Sequence, residues 1–279
     1  LDADGNPKTN VPYYDLTSND NNIERDYSKY VFVSTALSPY LQYSHGIYLQ
    51  EQLEAGPVKL LLGIRQEFFT DVLNYKTNNE THTTQHAFIP RIGAVVTINK
   101  NLNVYGTWVK GFEPQSASVQ GNPNAGGPFD PEYSQLLEAG LKGEWFDKRL
   151  STTLSFFHLQ KRNTLYNAND PANPERLEQV GEETSKGIEM DIAGFILPNW
   201  SIVANYAYTH AAITKTATDS EKDFGMQRPN TPRNAFNIWS KYIIETGVLH
   251  NFGFGLGLNA VSKRYGQVGR RANTVVYPG

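Results

Sequence analysis

The sequence predicts an all-β protein whose long strands form an antiparallel, up-and-down transmembrane β-barrel. Apolar and polar residues alternate along segments of about 12–16 residues, and the connections between these segments are alternately short and long. Strands of globular proteins are usually about 5–6 residues long, so a soluble sandwich or propeller fits these segments poorly. Short turns at one end and long loops at the other are typical of outer-membrane barrels.

The composition narrows the class of protein to which the chain can belong. The 279 residues have a mean hydropathy of −0.49, and the sequence contains no helical span, which needs about 20 consecutive apolar residues. Aromatic residues make up 12%, as expected for strands and for the aromatic girdles of a barrel. The net charge of −3 argues against nucleic acid as a partner, which would require a clustered basic face. The absence of cysteine excludes disulfides and thiol chemistry.

Ten strands are predicted after a polar, asparagine-rich stretch that reaches about residue 35. Their predicted limits are 42–53, 57–72, 85–97, 102–112, 133–146, 149–163, 184–195, 200–212, 233–245 and 248–263. Tight turns are predicted at 55–57, 99–101, 147–148, 197–199 and 246–247. Long loops are predicted at 74–85, 111–131, 163–183 and 214–232. Gly, Pro, Asn and Asp occupy these connections and favour turns for stereochemical reasons.

Several strands have one charged and one apolar face. In the strand at 184–195, Ile188 and Met190 alternate with Glu189 and Asp191, and the strands at 57–72 and 133–146 behave alike. A lysine or arginine facing lipid at mid-bilayer costs about 2–4 kcal/mol, so the charged faces are predicted to line a lumen. Trp145 and Trp200 lie beside tight turns, where an interfacial aromatic belt is expected.

Six segments carry a family resemblance. They are 60–65 (LLLGIR), 90–94 (PRIGA), 101–114 (NLNVYGTWVKGFEP), 137–143 (LEAGLKG), 185–190 (SKGIEM) and 230–236 (NTPRNAF). In this order they resemble the C-terminal barrel region of TonB-dependent receptors, most closely the ferric-siderophore receptors. Val109 departs from the family pattern, which tends to place a small polar residue there, facing the lumen.

The resemblance implies a barrel of about 22 strands, plugged by an N-terminal domain, that imports scarce ligands across the Gram-negative outer membrane. It implies a monomer in outer-membrane lipid, which receives energy from the TonB complex through an N-terminal region. It also implies no intrinsic cofactor and a ferric siderophore as the transported ligand. Since ten strands cannot close around a plug, we expect residues 1–279 to be a barrel fragment that lacks the plug domain and the closing strands.

Ligand contacts are expected in the long loops and in the lumen residues beneath them, because loops on a rigid frame carry function. Siderophore complexes are amphipathic and often aromatic, so aromatic and arginine side chains are the expected contacts. The candidates are Tyr75, Phe112, Phe129, Tyr133, Tyr166, Phe224 and Arg228. The alternative role for each is packing within a loop or in the outer aromatic girdle.

Metal and catalytic sites are not expected. His82 and His86 lie in a predicted loop, and a metal would need further ligands held rigidly. Four carboxylates on the predicted lumen face are interpreted as a solvated lining, or as ion-pair partners of three cations, rather than as a catalytic pair. The carboxylates are Glu138, Glu144, Glu189 and Asp191, and the cations are Arg65, Arg91 and Lys142. Without a nucleophile elbow or a phosphate-binding loop, the sequence predicts no enzyme.

Three alternative functions remain open from the sequence. A passive porin would conduct ions in planar bilayers, whereas a plugged receptor would be closed. A TonB-dependent importer of another ligand, such as a cobalamin or a glycan, would keep the fold but bind no iron chelate. A soluble β-rich binding protein would be extracted by buffer without detergent.

Overall fold

The computed structural model describes residues 39–168, 170–216, 224–266 and 276–277, where ten long strands form one sheet. The strands are β1 Tyr40–Ala55, β2 Val58–Leu73, β3 Thr81–Asn99, β4 Leu102–Glu113, β5 Glu132–Trp145, β6 Leu150–Asn167, β7 Leu177–Leu197, β8 Trp200–Lys215, β9 Asn234–Ile243 and β10 Gly253–Val261. A short helix, α1 (Ala117–Gln120), follows β4, and β11 (Arg264–Tyr265) pairs with β12 (Val276–Tyr277). The asparagine-rich stretch predicted before residue 35 lies outside the described residues.

Each long strand pairs antiparallel with the next one along the chain, from β1 to β10. All ten predicted strands and the up-and-down order are therefore confirmed. Within the described residues, β1 and β10 do not pair with each other, so the sheet is open. No helix in the described part of the chain reaches the length and apolar character that crossing a membrane requires.

Three connections differ in length from the prediction. The long connections at 74–80 and 168–176 are shorter than expected, because β3, β6 and β7 continue farther toward them. The predicted tight turn at 246–247 is wrong, since residues 244–252 connect β9 to β10. Backbone hydrogen bonds from Ile244 to Phe252 and from Asn251 to Ile244 close this wider loop, so β10 begins at Gly253 rather than at 248.

The strand register divides the sheet into two faces. Leu62 lies opposite Ile92, which lies opposite Trp108, and Trp108 lies opposite Leu137. Directly opposed residues share a face, so these side chains form an apolar row across four strands. We call this face the outer face. The other face, the inner face, carries Arg65, Arg91, Glu138, Lys142, Glu189 and Asp191.

The outer face is uncovered. Ile47 is 75% exposed and Leu137 is 56% exposed, although both lie in the middle of long strands. A two-sheet sandwich would bury such an apolar face against a second sheet, and no second sheet covers it in the part of the chain that the structure describes. Trp145 and Trp200 lie on the outer face at the turn end, where the indole N–H groups donate to Thr152 and Ser240 (2.9 and 2.8 Å). This is the predicted position of an aromatic belt.

Burial is concentrated where the strands meet the long loops. The fully buried apolar side chains include Val72 near the end of β2, Ala117 in α1 and Ile213 near the end of β8. Buried polar groups, such as Asp71 and Gln85, lie at the same end of the sheet. The molecule therefore has its own packed core at the loop end, and this core supports the loops.

Candidate functional site

The inner face is shaped by glycines that make room for long cationic side chains. Gly63 lies opposite Arg91, and a Cβ on Gly63 would come within 2.8 Å of Cγ of Arg91. A Cβ on Gly46 would come within 2.6 Å of Oε2 of Glu67 and 2.7 Å of Nη2 of Arg65. Because glycine has no side chain, the two guanidinium groups can lie along the sheet instead of projecting away from it.

Both guanidinium groups are held by neighbours. Nε of Arg65 lies 2.5 Å from Oε2 of Glu67, and Nη2 of Arg91 donates to Oε1 of Gln50. Each guanidinium has five N–H groups, so both arginines retain donors for a bound anion or a polar ligand. Of the two roles expected for the lumen carboxylates, a solvated lining or ion pairs, the ion pairs with these arginines are not formed among the described residues, because nearer partners on β1 and β2 hold both guanidinium groups.

These side chains border a concavity of about 310 Å³ on the inner face. Its polar and aromatic lining includes Tyr48, Gln50, Arg65 and Arg91. Arginine recognises carboxylates and other planar anions through paired N–H groups and stacks on aromatic rings. The arrangement is therefore suited to an anionic or aromatic ligand.

A second polar group lies farther along the inner face. The hydroxyl of Tyr105 donates to Oε1 of Glu138 at 2.7 Å, and Nζ of Lys142 lies 4.9 Å from the centroid of the Tyr105 ring. Lys142 therefore contacts an aromatic ring, and the predicted ion pair with a neighbouring carboxylate is replaced by this cation–π contact. Glu138 accepts a phenolic hydrogen bond, which gives it a structural role in the wall.

The two loops that follow β4 and β6 form one structure, which we call the loop cap (residues 114–131 and 168–176). The side-chain amide of Gln85, near the loop end of β3, brackets the backbone of Gln115. Its Nε2 donates to the Gln115 carbonyl at 2.8 Å, and its Oε1 accepts from the Gln115 N–H at 2.9 Å. Both residues are buried, so each satisfies polar groups that water does not reach.

Similar amide contacts hold the two loops to each other. The carboxylate of Glu175 accepts from the side-chain amides of Asn122 and Asn124 at 3.2 and 3.3 Å. The backbone N–H of Leu177 donates to the carbonyl of Ala125 at 2.9 Å. These contacts join segments about 50 residues apart in the sequence, so neither loop has an independent conformation.

The loop cap contains one of the predicted ligand residues, Phe129. This side chain is only 9% exposed, and its backbone is bracketed by the amide of Gln120 (2.6 and 2.8 Å). Tyr166 lies near the end of β6, where its ring comes close to Gly181. Phe129 is therefore packed inside the loop cap, and Tyr166 contacts the neighbouring strand β7. A ligand contact by either residue stays a prediction.

Phe112 and Tyr133 lie directly opposite each other at the loop ends of β4 and β5. Trp108 lies on the outer face, and Phe112 follows it by four residues on the same strand. Phe112 and its partner Tyr133 therefore also lie on the outer face. The structure therefore brings these two candidates together, but on the outer face. This position fits the aromatic girdle that was their alternative role.

The three remaining candidates lie in two connections, Tyr75 between β2 and β3, and Phe224 and Arg228 between β8 and β9. Tyr75 is in the connection after β2, where its N–H donates to the carbonyl of Pro39 and Nζ of Lys76 lies 5.0 Å from its ring centroid. Phe224 is 63% exposed. Arg228 pairs through Nη1 with Oε1 of Glu183 at 2.5 Å, so its charge is neutralised by a carboxylate of β7.

The two histidines that were placed in a loop belong to a strand instead. His82 and His86 both belong to β3, and Nε2 of His82 lies 2.8 Å from Oε1 of Glu80. The backbone N–H of Lys76 donates to the other oxygen of Glu80 at 2.6 Å. The hydrogen bond from the Lys76 N–H is the main cause that holds the pKa of Glu80 below its usual value, and the hydrogen bond with His82 adds to it. Among the described residues, no group of three potential metal ligands lies together.

Sequence reasoning missed Tyr48, Gln50, Gln85 and Gln115. The alternation places Tyr48 and Gln50 on the face of Arg65 and Arg91 only when the register of β1 on β2 is known. The contact between Gln85 and Gln115 depends on how a loop folds back over a strand end. A glutamine in the sequence carries no signal of such a contact.

Comparison with known proteins places this geometry in context. Residues 2–279 match the family model described as "TonB dependent receptor-like, beta-barrel". The metal-pseudopaline receptor CntO of Pseudomonas aeruginosa is 31% identical over 226 residues, which cover 78% of this chain and 31% of that protein. The ferric-pyoverdine M114 receptor PbuA of Pseudomonas sp. is 28% identical, over 79% of this chain and 27% of that protein.

A solved structure shows the same arrangement of strands. The siderophore receptor PiuA from Acinetobacter baumannii superposes with a TM-score of 0.71 at 25% identity, over 86% of this chain and 35% of that chain. The chain thus spans about a third of the length of the proteins it matches.

Proposed function

We propose, because this chain belongs to the TonB-dependent receptor β-barrel family, that its protein imports a ferric siderophore across the outer membrane. Receptors of this family are outer-membrane proteins of Gram-negative bacteria. The observation that carries the proposal is the arginine-lined concavity of the inner face. It presents two guanidinium groups and a tyrosine toward the side of the sheet that faces away from lipid.

The chemistry of that concavity agrees with the ligand class. Siderophores bind iron through catecholate, hydroxamate or carboxylate oxygens, and their complexes present anionic oxygens and flat rings to a receptor. Arg65 and Arg91 would bind the oxygens through charge-assisted hydrogen bonds, and Tyr48 would stack on a ring. Iron is part of the cargo and is enclosed by the siderophore, so the protein needs no metal ligands of its own.

The loop residues contribute to the proposal in two ways. We assign Tyr75, Phe224 and Arg228 to the loop surface that the ligand meets first, and Phe129 and Tyr166 to the support of that surface. Phe112 and Tyr133 are assigned to the lipid interface because they lie on the outer face.

The rest of the transport system follows from the family. The proposal includes a plug domain within the barrel, energy received from the TonB complex, a monomer in the outer membrane, and no catalytic activity. The assignment of residues 1–279 to one partial barrel wall is part of the same proposal.

The test uses the full-length receptor purified in detergent. Ferric complexes of a catecholate, a hydroxamate and a mixed siderophore are titrated while tryptophan fluorescence is recorded. Replacing Arg91 by Ala should weaken binding of the recognised complex by about tenfold, because a charge-assisted hydrogen bond is worth about 1.5–3 kcal/mol. Lys59→Ala is the matched control, since Lys59 lies on the inner face but pairs with Glu54 beside a tight turn. Quenching by a cobalamin or a glycan, with none by any iron chelate, would overturn the ligand and leave the family intact.

A second candidate ligand is a metal–pseudopaline complex. It is favoured by one observation, the 31% identity with a receptor of that name. The same titration with this complex decides between the two, because the preferred ligand should saturate the receptor at the lower concentration.

A further inference from the structure

The ladder between β3 and β4 ends in the middle of both strands. Its last pair is Arg91 with Val109, and residues 81–90 of β3 and 110–113 of β4 lie beyond it. Over these lengths β3 stays paired with β2, and β4 stays paired with β5. Among the ten long strands of the described chain, this is the one place where two neighbours both continue for several residues without pairing to each other. The sheet therefore has a break at its loop end.

Pro90 stands at the start of this break. The N–H of Thr97 donates to the carbonyl of Pro57, so the odd-numbered residues of β3 direct their backbone groups toward β2 and the even-numbered ones toward β4. Pro90 is therefore at a position where the ladder with β4 requires an N–H, and proline has none. Because the missing donor faces β4 only, pairing with β2 continues to Thr81.

Beyond the break, the chain after β4 crosses to the inner side of the sheet. Gln85 and Gln115 are each six residues from the last pair, so a continuous ladder would bring their backbones together. Instead, the Gln85 side chain, which points to the inner face, makes both hydrogen bonds to the Gln115 backbone. Farther along, a Cβ on Gly121 would come within 2.9 Å of Cδ1 of Leu73, an inner-face side chain of β2. The loop cap therefore rests on the inner wall formed by β2 and β3.

This resting place lies on the loop side of the arginine-lined concavity. Arg91 and Val109, the last pair before the break, both border that concavity, and so does Ile89. Gln85 lies four residues farther toward the loops than Ile89, at the contact with Gln115. The loop cap therefore borders the approach to Arg91 from the loop end of the sheet.

We propose that Pro90 is a positioning residue: by ending the ladder between β3 and β4, it lets the end of β4 fold inward and places the loop cap above the concavity. A residue with an N–H at this position would extend the ladder through Phe88 and Phe112, whose backbone groups face the break. The end of β4 would then lie in the plane of the sheet, and Gln115 would move away from the Gln85 side chain. This inference goes beyond ligand import, and it rests on the proposed function only for the approach of the ligand.

The test is residue-resolved amide hydrogen exchange of the full-length receptor in detergent, without ligand. The Gly111 N–H faces β5, whereas the Phe112 N–H faces the break. In the unaltered protein, Phe112 should therefore exchange about tenfold faster than Gly111, relative to their intrinsic rates. Pro90→Val should slow exchange at Phe112 and speed exchange at Gln115, each by about tenfold. A general loss of stability would speed exchange at both amides, so the opposite signs identify a positioning role.

Phe88→Val is the matched control. It places the same new side chain on the same strand and face but leaves position 90 without an N–H, so both amides should exchange as in the unaltered protein. The proposal is overturned if Pro90→Val shifts Phe112 and Gln115 in the same direction or changes neither. It is also overturned if Phe112 is already as protected as Gly111 in the unaltered protein.

A second measurement separates this proposal from the import proposal. Stopped-flow tryptophan quenching follows the association of the ferric catecholate, hydroxamate and mixed-siderophore complexes. Pro90→Val should raise the association rate of the recognised complex by about threefold, because the loop cap no longer borders its approach. An unchanged rate would overturn the role of the loop cap in that approach. If none of the three complexes binds, the import proposal fails, whereas the exchange pattern still decides the role of Pro90.

Discussion

The two ends of the sheet are built differently. At the loop end, side chains such as Val72 and Gln85 are buried under the loop cap, and their polar atoms have protein partners. At the turn end, outer-face apolar side chains such as Leu53 and Leu197 are exposed, and the strands are held mainly by backbone pairing. The loop end carries a core within this chain, whereas the outer face at the turn end obtains its apolar surroundings from the membrane. Substitutions should therefore be costlier at the loop end.

The largest effect is expected for Phe129→Ala. Removing a buried phenyl ring leaves a cavity in the loop cap, and this should lower the free energy of loop opening by about 3 kcal/mol. Native-state hydrogen exchange of the loop amides, such as that of Gly121, measures this quantity. Phe224→Ala is the matched control, and its exposed side chain should change the value by less than about 0.5 kcal/mol. Equal effects of the two substitutions would show that the loop cap has no packed core.

A somewhat smaller effect is expected for Gln85→Leu. Leucine fills similar space but leaves the N–H and carbonyl of Gln115 without partners, at a cost of about 2 kcal/mol. The change should appear as faster exchange and faster proteolysis within residues 114–131. Gln66→Leu lies on the neighbouring strand and removes only a long 3.4 Å contact, so it should leave both rates unchanged. If Gln85→Leu changes neither rate, water has replaced the two hydrogen bonds between the Gln85 side chain and the Gln115 backbone.

One substitution at the turn end is expected to stabilise the protein. Phe146, Asp147 and Lys148 all have positive φ in the turn between β5 and β6, an unfavourable conformation for residues with side chains. Lys148→Gly should therefore raise the free energy of unfolding by about 0.5 kcal/mol, measured by urea titration in micelles. Lys100→Gly lies in another tight turn, where φ is not positive, and should give no gain. A loss of stability in Lys148→Gly would show that the 3.6 Å contact of Lys148 with Glu144 outweighs the backbone strain.

The smallest effect concerns pH at the connection after β2. The pKa of Glu80 is lowered in the folded protein by the Lys76 N–H and by His82. A lowered carboxyl pKa stabilises the fold above the unfolded value of about 4.3, and this contribution is lost as pH falls through the folded value. The Lys76 amide should therefore exchange faster, relative to its intrinsic rate, at about pH 3 than at about pH 6. Glu80→Gln should remove that dependence, and its persistence would assign the effect to another group.

The period-two alternation explains why the strands could be predicted. It is a local property of extended backbone, so all ten strands and their two faces follow from residues two apart. The same alternation contradicts the prediction that Phe112 contacts the ligand. Phe112 lies four residues from Trp108 and therefore on the same face, which is incompatible with a lumen contact.

The loop residues could not be placed in this way. Phe129 and Tyr166 are aromatic residues near long loops, and aromatic character alone does not distinguish an exposed contact from a packed support. Phe129 is buried because the loop cap folds around it, and contacts between distant segments, such as that between Asn124 and Glu175, hold the loop cap together. No local pattern records such pairs, because irregular backbone has no repeat that fixes side-chain direction.

The sequence by itself determined the strands, their order, the apolar and polar faces, and the family resemblance. The tertiary structure decided which residues stand opposite one another, and so created the concavity between Gln50, Arg65 and Arg91 and the loop cap. Alternation is set by each residue's own backbone, whereas register and loop contacts are set by hydrogen bonds between segments that fold together. A register shift by one residue would exchange the two faces of a strand without changing a letter of the sequence.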